Sequence, residues 1–156
     1  MLTYSDFLRR IYRGGKPNRL AKFMNRASTV AFSSGVWPSR LATLEVPGRR
    51  TGRLIAFPVV VVEENGRRYL VAMLGERTNW VRNVAANDGH AVLRHGRRES
   101  VVLEPVPVAE RAPILRHYLA VAPGGRPHIP VDQHAPLAEF ERVAADFPVF
   151  RIDAAA

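Results

Sequence analysis

Over the first forty residues apolar positions recur at a helical period, and beyond them the pattern changes to short runs of branched residues. Ser5-Asp6 can cap a short helix with Phe7, Leu8, Ile11 and Tyr12 on one side, and Gly14-Gly15 breaks it. Pro17 suits the first turn of a second helix. Its Leu20, Phe23, Met24, Ala27, Val30 and Ala31 fall at helical spacing, with Arg19, Lys22 and Arg26 elsewhere on the cylinder, until Gly35 and Pro38 end it. Residues 1–38 read as a basic amphipathic arm.

The runs 41–46 and 54–62 predict two strands joined by the loop Pro47 to Arg53. Asn65-Gly66 is a hairpin signal leading into a third strand, Arg68 to Leu74. Thr78 can cap a short helix, Asn79 to Ala86, that stops at Asn87-Asp88-Gly89. Strands 90–95 and 99–106 turn at Gly96. A helix over Pro107 to Leu119 places Ile114, Leu115, Tyr118 and Leu119 inward, and a Pro/Gly/His loop occupies 121–135. Another helix, Pro136 to Phe147, turns Leu137, Phe140 and Val143 inward before a closing strand at 148–152. Five or six hairpin-connected strands with helices inserted and at the ends predict an α+β fold, a small antiparallel barrel or curled sheet. There is no internal repeat, and length gives a single domain over 1–156.

Composition narrows the chemistry. The chain has no cysteine, which excludes disulfides, zinc fingers, iron–sulfur ligation and thiol nucleophiles. No apolar run approaches the roughly 18 residues of a membrane span, and no secretory leader is evident. The net charge of +9 is uneven: residues 1–40 hold eight cations against Asp6 alone. Such an arm fits an anionic membrane surface, or equally a packed helix with a solvated cationic back. Nucleic acid is disfavoured, because no helix-turn-helix, RNA-binding or zinc motif accompanies the charge.

Three groups of residues bear on function. The loop Gly48–Arg53 offers three guanidiniums and the Thr51 hydroxyl with no competing acid, a donor set for phosphate or carboxylate; as a solvated turn it would need no ligand. The segment Gly75–Asn83 follows a strand and opens a helix, with unpaired N–H groups at its start and Trp80 as a flat wall. The histidines form no metal pattern: His90 and His95 point to opposite faces of a strand, and His128 and His134 share a loop with Asp132 at no standard spacing. No Gly-x-Gly-x-x-Gly, Walker motif or nucleophile elbow is present.

The ordered set Gly48-Arg49-Arg50-Thr51-Gly52-Arg53, Pro58-Val59-Val60-Val61, Tyr69-Leu70-Val71-Ala72, Gly75, and Asn79-Trp80-Val81-Arg82-Asn83-Val84 with Ala86-Asn87 resembles the deazaflavin-dependent nitroreductase and quinone reductase family. The resemblance covers residues ~40–105. It implies a split β-barrel, flavin-reductase-like, with an N-terminal helical arm and peripheral helices. It also implies reduced coenzyme F-420 as hydride donor to a hydrophobic acceptor of the nitroaromatic, quinone or enone class. By position, Gly48, Arg49, Arg50, Thr51 and Gly52 would hold the phosphate and oligoglutamate tail. Ala72, Met73, Leu74 and Gly75 would line the ring through backbone groups, Asn79 and Trp80 would close over it, and Pro58 would shape the opposite side. Tyr118 and His128 are the candidate proton donors, and no metal site is expected.

The sequence departs from the family pattern at Ile55, Phe57 and Met73, which replace polar positions, and at 122–126, which lacks tyrosines. These changes make the cavity more apolar and leave a second reading, a fatty-acid or lipid-binding member without F-420 activity. The resemblance further implies an actinobacterial, cytoplasmic protein, peripheral on the inner membrane face if the arm docks there, and either a monomer or a homodimer.

Overall fold

The computed structural model describes residues 40–155, so the arm expected over 1–38 lies outside the described residues. Seven strands form one antiparallel sheet: β1 Leu41–Pro47, β2 Leu54–Val60, β3 Val62–Glu64, β4 Arg67–Val71, β5 His90–His95, β6 Arg97–Pro105 and β7 Val149–Ala154. The described helices are α1 Asn79–Ala86, α2 Ala112–Val121 and α3 Leu137–Val143, with short 3-10 turns between them.

The sheet order is β2-β1-β5-β6-β7-β4-β3, and only Val61 separates the two strands at its ends. The sheet therefore curls until its edges approach, as a split barrel does. Val61 donates its N–H to the Arg40 carbonyl at 2.6 Å, which carries the chain from one edge to the other. Its side chain lies in the barrel interior while Val60 and Val62 pack on the outer layer, so strand alternation continues through the break.

Two apolar layers result. Leu44, Leu70, Val101, Leu103, Phe150 and Ile152 fill the barrel. On its outer side Val62, Val71 and Val149 are covered by Leu115, Leu119 and Phe140 from α2 and α3. Each such side chain, once fully buried, contributes about 1.5–3 kcal/mol. β1 is buried on both faces. Ala42, Leu44 and Val46 face the interior, and Glu45 on the opposite face is held by Arg98 at 2.8 Å and Arg94 at 3.3 Å.

Several boundaries differ from the sequence pattern for physical reasons. The strand expected over 54–62 is two strands, and the sheet has seven strands rather than five or six. The strand expected to Leu74 ends at Val71, because Ala72 to Thr78 folds into successive turns. The helix expected from Pro107 starts as a 3-10 turn, Val108–Glu110, and becomes α-helical only at Ala112. Pro113 at its start has no N–H to give to Ala109, so one continuous helix cannot run through. Likewise α3 ends at Val143 and tightens to a 3-10 turn, since Pro148 offers Ala144 no N–H and disfavours helical backbone at Phe147.

Candidate functional site

The β1–β2 hairpin ends in the loop Gly48–Arg53. The Gly48 N–H donates to the Arg53 carbonyl at 2.8 Å, and the Gly52 N–H to the Gly48 carbonyl at 2.8 Å. Gly52 adopts φ +72°, a conformation that L side chains resist. A Cβ at Gly48 would lie 3.2 Å from Ile55 Cδ1, so the apolar Ile55 packs against the base of the loop. Thr51 Oγ1 accepts from the Arg53 N–H at 3.2 Å and keeps its own hydrogen to donate.

Asn83, buried on α1, fastens this loop. Its Oδ1 accepts from the Arg49 N–H at 3.1 Å and from Arg49 Nη1 at 2.9 Å. Arg49 therefore has its guanidinium oriented before any ligand arrives, with further N–H donors left. Arg50 and Arg53 are exposed, and neither takes part in an ion pair among the described residues. The result is a rigid loop bearing three cations without an acid to neutralise them, which fits a polyanionic tail.

α1 also connects this loop to the end of β4. Ala72 is fully buried, donating its N–H to the Pro148 carbonyl at 2.9 Å and accepting from the Gly75 N–H at 3.1 Å. Gly75 has φ +88°, and a Cβ there would lie 3.3 Å from the Asp146 carbonyl oxygen. The N–H groups of Met73 and Leu74, by contrast, make no hydrogen bond among the described residues. They are donors available to an acceptor at the strand end. Thr78 precedes α1 as expected, but its hydroxyl donates to the Gly75 carbonyl at 2.5 Å instead of capping the helix. That bond closes the turn beneath the strand end.

Trp80 stacks in a tilted arrangement between Phe57, with centroids 5.8 Å apart, and Phe150, at 5.5 Å. Phe57 is thus one of two aromatic partners of the half-buried Trp80. Pro58, the next residue of β2, pairs with Thr43 and faces the other side of the sheet from Phe57 and Trp80. The structure does not bring Pro58 to the face that carries Trp80. Met73 turns its side chain toward the outer layer, where its sulfur accepts from the Tyr118 hydroxyl at 3.4 Å. The end of β4 accordingly presents Met73 through its backbone.

Tyr118, on the buried face of α2, lies in the outer layer, and burial pushes its hydroxyl well above the usual tyrosine range. Gly125 lies flat on its ring, where a Cβ would come 2.8 Å from the hydroxyl oxygen. His128 is half-buried in the following loop. Asp132 accepts from the His134 N–H at 2.8 Å and so serves the turn. Among the described residues no group of three metal-ligating side chains converges.

The residue missed in the sequence is Asn83. It stood in the quoted motif, but nothing in a helical asparagine reveals that its oxygen will meet a loop 34 residues away. Only its placement four residues after Asn79, on the same helical face, offered a signal.

A family model described as F420H(2)-dependent quinone reductase matches residues 18–133. Among solved structures, an F420-H2-dependent reductase, FDR-A, is similar with a TM-score of 0.50 and 22% identity, covering 76% of this chain and 97% of that one. A domain-swapped dimer gives a TM-score of 0.52 at 18% identity, covering 97% and 100%. A heme-binding protein from Mycobacterium smegmatis gives 0.50 at 17% identity, covering 83% of this chain and 50% of that one. Among curated proteins there is no match to the sequence.

Proposed function

Because the chain belongs to the F420H(2)-dependent quinone reductase family, and is thereby an F-420-dependent reductase, we propose that its Gly48–Gly52 loop and the Ala72–Gly75 strand end together hold the cofactor for reduction of a quinone-class acceptor. When bound, the reduced deazaflavin supplies the hydride. The protein supplies position, electrostatics and a partly dry face. Arg49, Arg50 and Thr51 take the phosphate and the carboxylates of the tail by charge-assisted bonds. The Met73 and Leu74 N–H groups orient the ring edge. Trp80, braced by Phe57 and Phe150, offers an apolar wall on which a planar acceptor can lie.

The observation that carries this reading is the coupling of the two halves through one short helix. α1 fixes the cationic loop at Asn83 and directly follows the turn whose Met73 and Leu74 N–H groups have no acceptor among the described residues. The apolar character of Ile55 and Phe57 favours a hydrophobic acceptor, and family membership sets aside the lipid-binding alternative without F-420 activity. We place the protein in the cytoplasm, where a cysteine-free reductase meets reduced cofactor. Among the described residues no helix is long and apolar enough to cross a membrane. A homodimer is the assembly to test first, by light scattering, since one similar fold was solved as a domain-swapped dimer.

The experiment is a fluorescence titration of the full chain with F-420, followed by loss of the reduced form on adding a soluble quinone. Saturable micromolar binding with quinone-dependent turnover supports the reading. Binding unaffected by substitution of both Arg49 and Arg50 removes the loop from the site. Turnover with nitroaromatics or enones but not quinones reassigns the acceptor.

A further inference from the structure

Arg111 is a buried cation far from the loop arginines in sequence, and no acid lies within ion-pair distance of it among the described residues. Its guanidinium instead donates to two backbone carbonyls. Nε gives a bond to Val106 O at 2.9 Å, and Nη1 a bond to Ala144 O at 3.0 Å. The first carbonyl belongs to the chain leaving β6, and the second opens the 3-10 turn Ala144–Asp146 that precedes β7. A guanidinium suits such bridging, because it presents several N–H donors in a rigid fork.

The segment that Arg111 pins is the one that supports the strand end. Asp146 O lies against Gly75 so closely that a Cβ there would be 3.3 Å away. Two residues on, Pro148 O accepts the Ala72 N–H at 2.9 Å. Burial disfavours the charge on Arg111, and the negative charge of Glu76, in the 72–78 turn, offsets part of that cost.

We infer that Arg111 is a positioning residue for the cofactor site: through the Ala144 carbonyl it holds the 144–148 turn, and that turn sets the backbone of Ala72 to Gly75 at the ring. The inference deepens the assignment of that strand end to the cofactor and rests on it for its functional consequence. Its structural consequence stands separately.

Two readouts on the full-length protein separate these. The first is amide hydrogen exchange without cofactor, comparing wild type with Arg111→Met and Arg111→Lys. Arg126→Ala is the control, because Arg126 also donates to backbone carbonyls, Leu119 O and Ala120 O, but at the far end of α2. Peptides covering 72–78 should exchange about tenfold faster in Arg111→Met, less in Arg111→Lys, and at the wild-type rate in Arg126→Ala. The second is F-420 titration, in which Arg111→Met should weaken affinity about tenfold while Arg126→Ala stays within about twofold. If Arg111→Met does not fold, Arg111→Lys is decisive, since a lysine keeps the charge but lacks the rigid fork that holds both carbonyls at once. Exchange changes confined to residues near 106–115 and 144, with 72–78 unmoved, overturn the inference. So does unchanged F-420 affinity alongside accelerated exchange. If wild type itself fails to bind F-420, the cofactor assignment falls, and the exchange result alone decides whether Arg111 positions this turn.

Discussion

Asn83 Oδ1 accepts two hydrogen bonds from one residue, Arg49, through its backbone N–H at 3.1 Å and its guanidinium at 2.9 Å. One buried amide thus fixes both the course of the loop and the aim of its first cation. Asn83→Ala should cost about 1–2 kcal/mol in stability, because it leaves the Arg49 N–H without its acceptor. It should also weaken F-420 binding about tenfold through loss of preorganisation. Asn83→Asp separates the two effects. It keeps both bonds and strengthens them by charge, so thermal stability should hold or rise, while the added negative charge should still weaken binding of the anionic tail. Parallel melting curves and cofactor titrations check this pair.

Arg50 differs from its neighbour in having no protein partner among the described residues. Its removal should leave stability within about 0.5 kcal/mol of wild type, as for an ordinary surface change. Cofactor affinity should nevertheless fall by about 1.5–3 kcal/mol, the range for hydrogen bonds to charged groups. The loss should shrink as salt rises, because screening weakens the wild-type contact first. Titrations at two ionic strengths provide the measurement. An Arg50→Ala protein that binds F-420 normally at low salt would show that the tail runs elsewhere.

Local signals in the sequence were sufficient for some of this site and silent on the rest. The helix Asn79–Ala86 and its stop at Asn87-Asp88-Gly89 were legible because each boundary is set within a few residues. Gly89 adopts φ +82°, and a Cβ there would come 2.8 Å from the Leu103 carbonyl. The arginine loop was legible for the same reason, as glycines and cations are local facts. The break at Val61 was not, because it arises from barrel closure, and neither residue flanking it differs in kind from its neighbours. Pro58 and Phe57 show the limit most sharply. Resemblance implied that Pro58 shapes the side of the ring opposite Trp80, while Phe57 stood only as a departure from the family pattern, and strand alternation sends one to each face. Register, not residue type, decided that Phe57 meets Trp80.

Acid sensitivity should be visible at the end of the barrel where an ion pair links β4 to β6, the two strands that flank β7. Arg68 donates to Glu99 through both terminal nitrogens, at 2.9 and 2.7 Å, and this hydrogen bonding holds the Glu99 carboxyl below the usual range. A carboxylate whose pKa is lower when folded stabilises the fold at pH above its unfolded value. That contribution is lost as the pH falls through the folded value. Both side chains are about one-third exposed or more, so screening limits the pair to about 0.5–1 kcal/mol. Glu99→Gln should lower the melting temperature slightly at pH 7, and the difference from wild type should vanish on acidification. A difference that persists at pH 2 would place the effect in packing instead of charge.

Tyr118 tests where the proton for the reduced acceptor comes from. Its hydroxyl is buried in the outer layer, gives its hydrogen to Met73 sulfur, and is pressed by the Gly125 backbone. Burial raises its pKa, so at neutral pH it remains a neutral donor and releases its proton less readily than a solvent-exposed phenol. Thioether sulfur is a weak acceptor, so Tyr118→Phe should cost less than about 1 kcal/mol in stability. If the outer-layer placement governs, kcat with a soluble quinone should stay within about twofold of wild type, with an unchanged pH profile. A tenfold fall in kcat with KM unaltered, or the disappearance of an alkaline limb, would instead mean that the hydroxyl leaves Met73 during turnover. The same variant should leave F-420 affinity untouched, because the contact proposed between Met73 and the ring is through a backbone N–H that the substitution does not move.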